Sequence, residues 1–175
     1  MKKALASSLA MVVGFSIACG SGNSSDKGGG TARVTIAGQT YTVSNLKLTL
    51  DTTDGGFFRI DGDDAAHPDE DCLPGLGGGL ALYGDVPSGL ASVADLAGRE
   101  LPFEFSGDGD DANLCFVGSN GLLGVDTGTV RFGEVSGSTV AFSFSGSFTK
   151  YDGNGGEDSA KIHATGEGIA HLDAN

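Results

Sequence analysis

The sequence predicts an all-β chain, an antiparallel β-sandwich with a closed β-barrel as the alternative, and three observations carry that expectation. Between Thr139 and Thr149, Val140, Phe142, Phe144, Gly146 and Phe148 alternate with Thr, Ala and Ser, the period of a strand with one buried face. Glycine supplies 31 of 175 residues and proline only 4, a balance that suits strands joined by tight turns rather than low-complexity chain. Apolar runs of this kind recur between Gly, Asn and Asp clusters, roughly eight to ten of them, which fits two packed sheets or one closed sheet.

The elements follow in order. Arg33 to Ala37 sets Val34 and Ile36 on one face, Gly38-Gln39 turns the chain, and Tyr41 to Leu50 returns it as the second arm of a hairpin. Tyr41 and Val43 are odd in parity while Leu46, Leu48 and Leu50 are even, so an extra residue near Ser44-Asn45 predicts a bulge. Phe57 to Ile60 reads as a strand, Asp61 to Asp71 as an acidic loop, and Leu80 to Tyr83 as a short strand. Ser88 is placed to cap about two helical turns ending at Gly98, a short helix near 89–97 in which Leu90, Val93, Ala94 and Ala97 recur three and four apart. Leu101 to Phe105, Leu114 to Val117 and Thr129 to Glu134 continue as strands, then the Phe142 run. In Ala160 to Leu172, Ile162, Ala164, Gly166, Gly168, Ala170 and Leu172 share one parity. No sustained repeat points to a solenoid or propeller.

Met1 to Gly20 has a different character. Lys2 and Lys3 form a basic start, Ala4 to Ile17 a short apolar run, and Ser16-Ile17-Ala18-Cys19 a small-residue site ending in cysteine. The run is shorter than the ~20 residues a helix needs to span a bilayer, and reads as an export signal. These residues resemble the signal and lipobox of bacterial lipoproteins, with Ser16 where an aliphatic residue is usual. The resemblance implies that Cys19 is acylated and becomes the new N-terminus, anchoring the chain to the envelope. Cleavage after Ala18 without lipid is the alternative. The organisation expected is a signal peptide over 1–18, a flexible Gly/Ser tether over 19–30, and one β-rich domain over 31–175, whose C-terminal half weakly resembles β-rich domains of secreted bacterial lipoproteins.

Losing Lys2 and Lys3 with the signal takes the formal charge from −13 to −15, which repels nucleic acid and anionic surfaces and leaves no basic run for phosphates. With Cys19 assigned to the lipobox, Cys72 and Cys115 remain as an even pair in an oxidising compartment, and a disulfide between them is expected. Two separate buried thiols are the alternative.

The concentrated ligand chemistry is carboxylate: Asp61, Asp63 and Asp64, then Asp69, Glu70 and Asp71, then Asp108, Asp110 and Asp111, and finally Asp152, Asn154, Glu157 and Asp158. Hard oxygen ligands on glycine-rich turns suit calcium, although the spacing departs from the EF-hand pattern; solvated turns are the plainer reading. His163 and His171, eight residues apart, sit too far from each other on one strand to share a metal. No nucleophile elbow, zinc-protease helix or phosphate loop occurs. The function expected is therefore a lipid-anchored, non-catalytic binding or structural module with an envelope protein or glycan as partner. A calcium-dependent or carbohydrate-binding adhesion module is the alternative, in which Tyr41, Tyr83 and Tyr151 stand in for the missing tryptophan, and a hydrolase is third.

Overall fold

A computed structural model describes residues 29–53, 55–73, 76–104, 112–117, 121–151 and 157–173. Cys19 and the expected signal peptide lie outside the described residues, as do Asp108, Asp110, Asp152 and Asn154. The strands are β1 (Gly30–Ile36), β2 (Gln39–Leu50), β3 (Phe57–Asp64), β4 (Asp71–Leu73), β5 (Leu76–Gly77), β6 (Gly79–Asp85), β7 (Glu100–Glu104), β8 (Asn113–Cys115), β9 (Leu123–Ser136), β10 (Thr139–Tyr151) and β11 (Glu157–Leu172).

The fold is all-β, and the barrel replaces the sandwich. Eight strands run in the order β10-β11-β1-β2-β3-β6-β8-β9, and β9 pairs back onto β10 to close the ring. Two short strands share the seam along β9: β8 pairs at Leu123 and Gly124, and β7 pairs from Thr127 to Arg131. Bulges bend the wall. At the expected place the β2–β3 register slips between Ser44 and Lys47, with Asn45 at φ 52°. On β9 a second bulge inserts Asp126, since Ser147 lies opposite Thr127 while the next residue, Phe148, lies opposite Val125.

An eight-stranded barrel leaves an interior just wide enough for packed side chains or one small ligand, and here side chains occupy it. Phe58, Phe103, Phe116, Phe132 and Phe148 are fully buried there with Leu46, Ile60 and Leu82, and the Phe142 and Phe144 stripe is buried as expected. Phe103 forms the hub, its ring centroid 6.1 Å from Phe144 and 6.2 Å from Phe148. It fits because Gly128 and Gly146, paired across β9 and β10, carry no side chain, and a Cβ on Gly128 would run into the ring. The outer face is polar, as Arg33 and Thr35 of β1 and Thr127, Thr129 and Arg131 of β9 illustrate. This is the reverse of a barrel wall that faces lipid.

The helix expected near 89–97 is a single 3-10 turn, Val93–Leu96. Asp95 accepts hydrogen bonds from the Ala91 and Ser92 amides at 3.1 and 2.9 Å, so the start lies at Ser92 rather than Ser88. Propagation stops because the chain rejoins the wall at once: Gly98 N–H donates to the Phe132 carbonyl and Phe132 N–H to Arg99. Leu90 and Leu96 are buried and join the hydrophobic core. The acidic segment also differs from expectation. Strand β3 runs on through Asp64 because its amide donates to the Gly78 carbonyl and its neighbours pair with β6, so Asp61, Asp63 and Asp64 are strand residues. β11 is one strand throughout, and β1 opens at Gly30, the last residue assigned to the tether.

Candidate functional site

Alternation along β3 sends Phe58, Ile60 and Asp64 inward and Phe57, Arg59, Asp61 and Asp63 outward. The three calcium candidates therefore do not converge: Asp61 pairs with Arg59, Asp63 accepts a hydrogen bond from Asn45 at 2.9 Å, and Asp64 is buried. Among the described residues no group of three or more His, Cys, Asp or Glu is placed to hold a metal. Glu157 opens β11, opposite Tyr151.

Asp64, 2% exposed, is a chain tie. Its carboxylate accepts from the Ala66 amide at 3.0 Å and the Val117 amide at 3.1 Å, and meets His67 Nδ1 at 3.3 Å. Tyr41 stacks on Phe116 beside it, ring centroids 4.6 Å apart. Burial first, and then the Asp64 charge, push the Tyr41 hydroxyl above its ordinary value. Cys72 and Cys115 are bridged at the same barrel end, Cα atoms 5.8 Å apart, and join the β4–β5 hairpin to β8. Backbone donors occupy the Asp64 oxygens, so this cluster holds structure together.

The β9 bulge presents Asp126 on the wall, where Lys161 Nζ reaches it at 2.6 Å and Thr149 Oγ1 at 2.9 Å, with Lys161 also 3.1 Å from Thr149 Oγ1. Burial works to raise the Asp126 carboxyl, but hydrogen bonds from Lys161 and Thr149 and the Lys161 charge outweigh it and hold the group below its ordinary value. A carboxyl lowered in the folded state contributes stability that is fully present above its unfolded value and is lost as pH falls through the folded one. Asp126→Asn should therefore lower the melting temperature at neutral pH, and the gap from wild type should narrow as pH drops below about 4. Melting curves at several pH values check this; a gap that widens on acidification contradicts it.

The outward residues of β2, β3 and β6 build the best candidate site. Cross-strand register sets Thr49, Arg59 and Tyr83 in one row and Lys47, Asp61 and Ala81 in the next. Phe57 and Tyr83 stack with centroids 5.4 Å apart and planes at 28°. Arg59 Nε binds Asp61 Oδ1, and the two side chains are 47% and 35% exposed. Thr49, Phe57, Arg59, Asp61 and Tyr83 line a groove of about 300 Å³. Two further grooves on the outer face are lined mainly by hydroxyls, one by Thr35, Thr40, Ser143 and Thr165 between Arg33 and Glu167, the other by Thr127, Thr129, Ser145 and Ser147 beside His163. His163 stands opposite Ser147 and His171 opposite Thr139, eight residues apart on one unbroken strand.

No protein-family model, curated protein or solved structure matches the chain.

Sequence reading singled out Tyr83 as a stacking residue but missed its partners Phe57 and Arg59. Their signal was the outward parity of Phe57 and Arg59 about the inward Phe58 and Ile60. The Asp126 bulge was also legible, since Val125 and Val130 are inward with opposite parity.

Proposed function

We propose that this protein is a lipid-anchored, non-catalytic binding module of the bacterial cell envelope, exported and held on the membrane through Cys19, facing the periplasm or the surface. The run Lys2-Lys3, Ala4 to Ile17 and Ser16-Ile17-Ala18-Cys19 carries the reading. The Cys72–Cys115 bridge suits an oxidising compartment beyond the cytoplasm. Because side chains fill the barrel interior, ligand contact falls to the outer face and its grooves. Cys19→Ser should move the protein from the membrane to the soluble fraction, and intact mass of the wild type should show an acylated N-terminal cysteine. A mature wild-type N-terminus without lipid would refute the anchor.

An adhesion role toward carbohydrate, with or without calcium, is the second reading. The stacked Phe57–Tyr83 pair on the outer face favours it.

A further inference from the structure

We infer that the groove of β2, β3 and β6 is a subsite for a neutral sugar ring, the apolar face of the pyranose lying on Tyr83 and Phe57 and its hydroxyls meeting Arg59, Asp61 and Thr49. The inference rests on the reading of the protein as a binding module and names the ligand class of its groove.

Three features select that class. The groove, about 300 Å³, lies at the lower limit of small-molecule sites, and its five lining residues are far fewer than the roughly 20–30 that each partner contributes to a stable protein complex. Its floor and wall combine aromatic surface with planar polar groups: a sugar presents C–H faces to rings and hydroxyls at its edge, and aromatic side chains with a polar rim answer both. Arg59 Nε already holds Asp61 Oδ1, so the guanidinium and carboxylate planes are oriented before a ligand arrives.

Charge decides between neutral and ionic ligands. Arg59 is balanced by Asp61, Lys47 lies across from Asp61, and Asp85 lies across from Phe57, so the groove has one sign cancelling the other. The formal charge, −13 for the whole sequence and −15 once Lys2 and Lys3 leave with the signal, adds a repulsive field against anionic glycans. Nothing in the groove gathers carboxylates around a cation, so binding here proceeds without calcium.

The test uses the exported protein purified in detergent and applied to an array of neutral and anionic glycans with and without a calcium chelator. Calorimetry follows with trisaccharides of glucose, mannose, galactose and N-acetylglucosamine. Binding of at least one neutral glycan, unchanged by chelator, is expected. Tyr83→Ala should weaken it about tenfold by removing a stacking face, and Tyr83→Phe should retain most of it. Asp61→Ala, which leaves both rings in place, should also weaken binding, and this variant decides the matter if Tyr83→Ala does not fold. Absence of neutral-glycan binding, binding that requires calcium, or affinity unchanged in both Tyr83→Ala and Asp61→Ala would each overturn the subsite. Membrane fractionation of Cys19→Ser is read separately, so a protein that is anchored but binds no neutral glycan loses the subsite and keeps the anchored-module reading.

Discussion

Replacing Phe103 by alanine is expected to destabilise the barrel by about 3–5 kcal/mol, the range for removing a buried aromatic ring and leaving a cavity. Phe103 is 1% exposed, touches the rings of Phe144 and Phe148 edge-on and tilted, and lies over Gly128 and Gly146. Those glycines belong to paired strands whose backbones are fixed by the β9–β10 ladder, so the wall cannot collapse inward to refill the space. The loss is a large part of the ~5–15 kcal/mol that holds a domain together, and the melting temperature should fall by about 10 °C or more. Gly128→Ala alone should also destabilise, because its Cβ would collide with the Phe103 ring. In the double variant that methyl enters vacated space, so the combined cost should be smaller than the two single costs added. Denaturant unfolding of the four proteins closes the cycle, and strict additivity would show that the ring does not sit over Gly128.

Breaking the Cys72–Cys115 bridge should cost about as much. The cysteines are 43 residues apart in sequence, and on a chain-entropy account releasing such a loop in the unfolded state removes about 4 kcal/mol. Cys115 is 2% exposed, so alanine is the suitable replacement, since serine would bury a hydroxyl. Cys72→Ala with Cys115→Ala and the wild type under reductant should unfold at the same reduced denaturant midpoint, with a steeper dependence on denaturant because the unfolded chain expands. Equal midpoints for the oxidised wild type and the double variant would refute this, and non-reducing peptide mapping should recover the two cysteines linked.

The alternation from Val140 to Phe148 and the phase slip at Ser44-Asn45 were legible because strand period and bulges are local properties of the sequence. Closure was not, since it depends on β8 and β7 lying end to end along β9, a pairing that no local pattern encodes. The 89–97 segment shows the same limit: its three-and-four spacing is helical, but the Gly98 and Phe132 amides draw the chain back to the wall after one turn. Asp64 read as one more solvated carboxylate beside Asp63, yet one step along a pleated strand reverses the face and places it among the Ala66 and Val117 amides. The groove escaped notice because Phe57 and Tyr83 are distant in sequence and become neighbours only through the β3–β6 register.

β1 lies antiparallel to both β2 and β11, and just beyond its first residue those two neighbours meet, His171 beside Lys47 and Leu172 beside Leu48. Tension applied at Gly30 along the axis of β1 meets a paired neighbour on each side. It therefore loads the cross-strand pairs on both sides in shear, and they must yield together, whereas a strand pulled sideways would unzip pair by pair. Val34, fully buried, would have to be dragged through the packed interior at the same moment. Resistance to such a pull is set by the unfolding barrier rather than by equilibrium stability, so a load applied at the first residue of β1 is met by pairs on both of its sides.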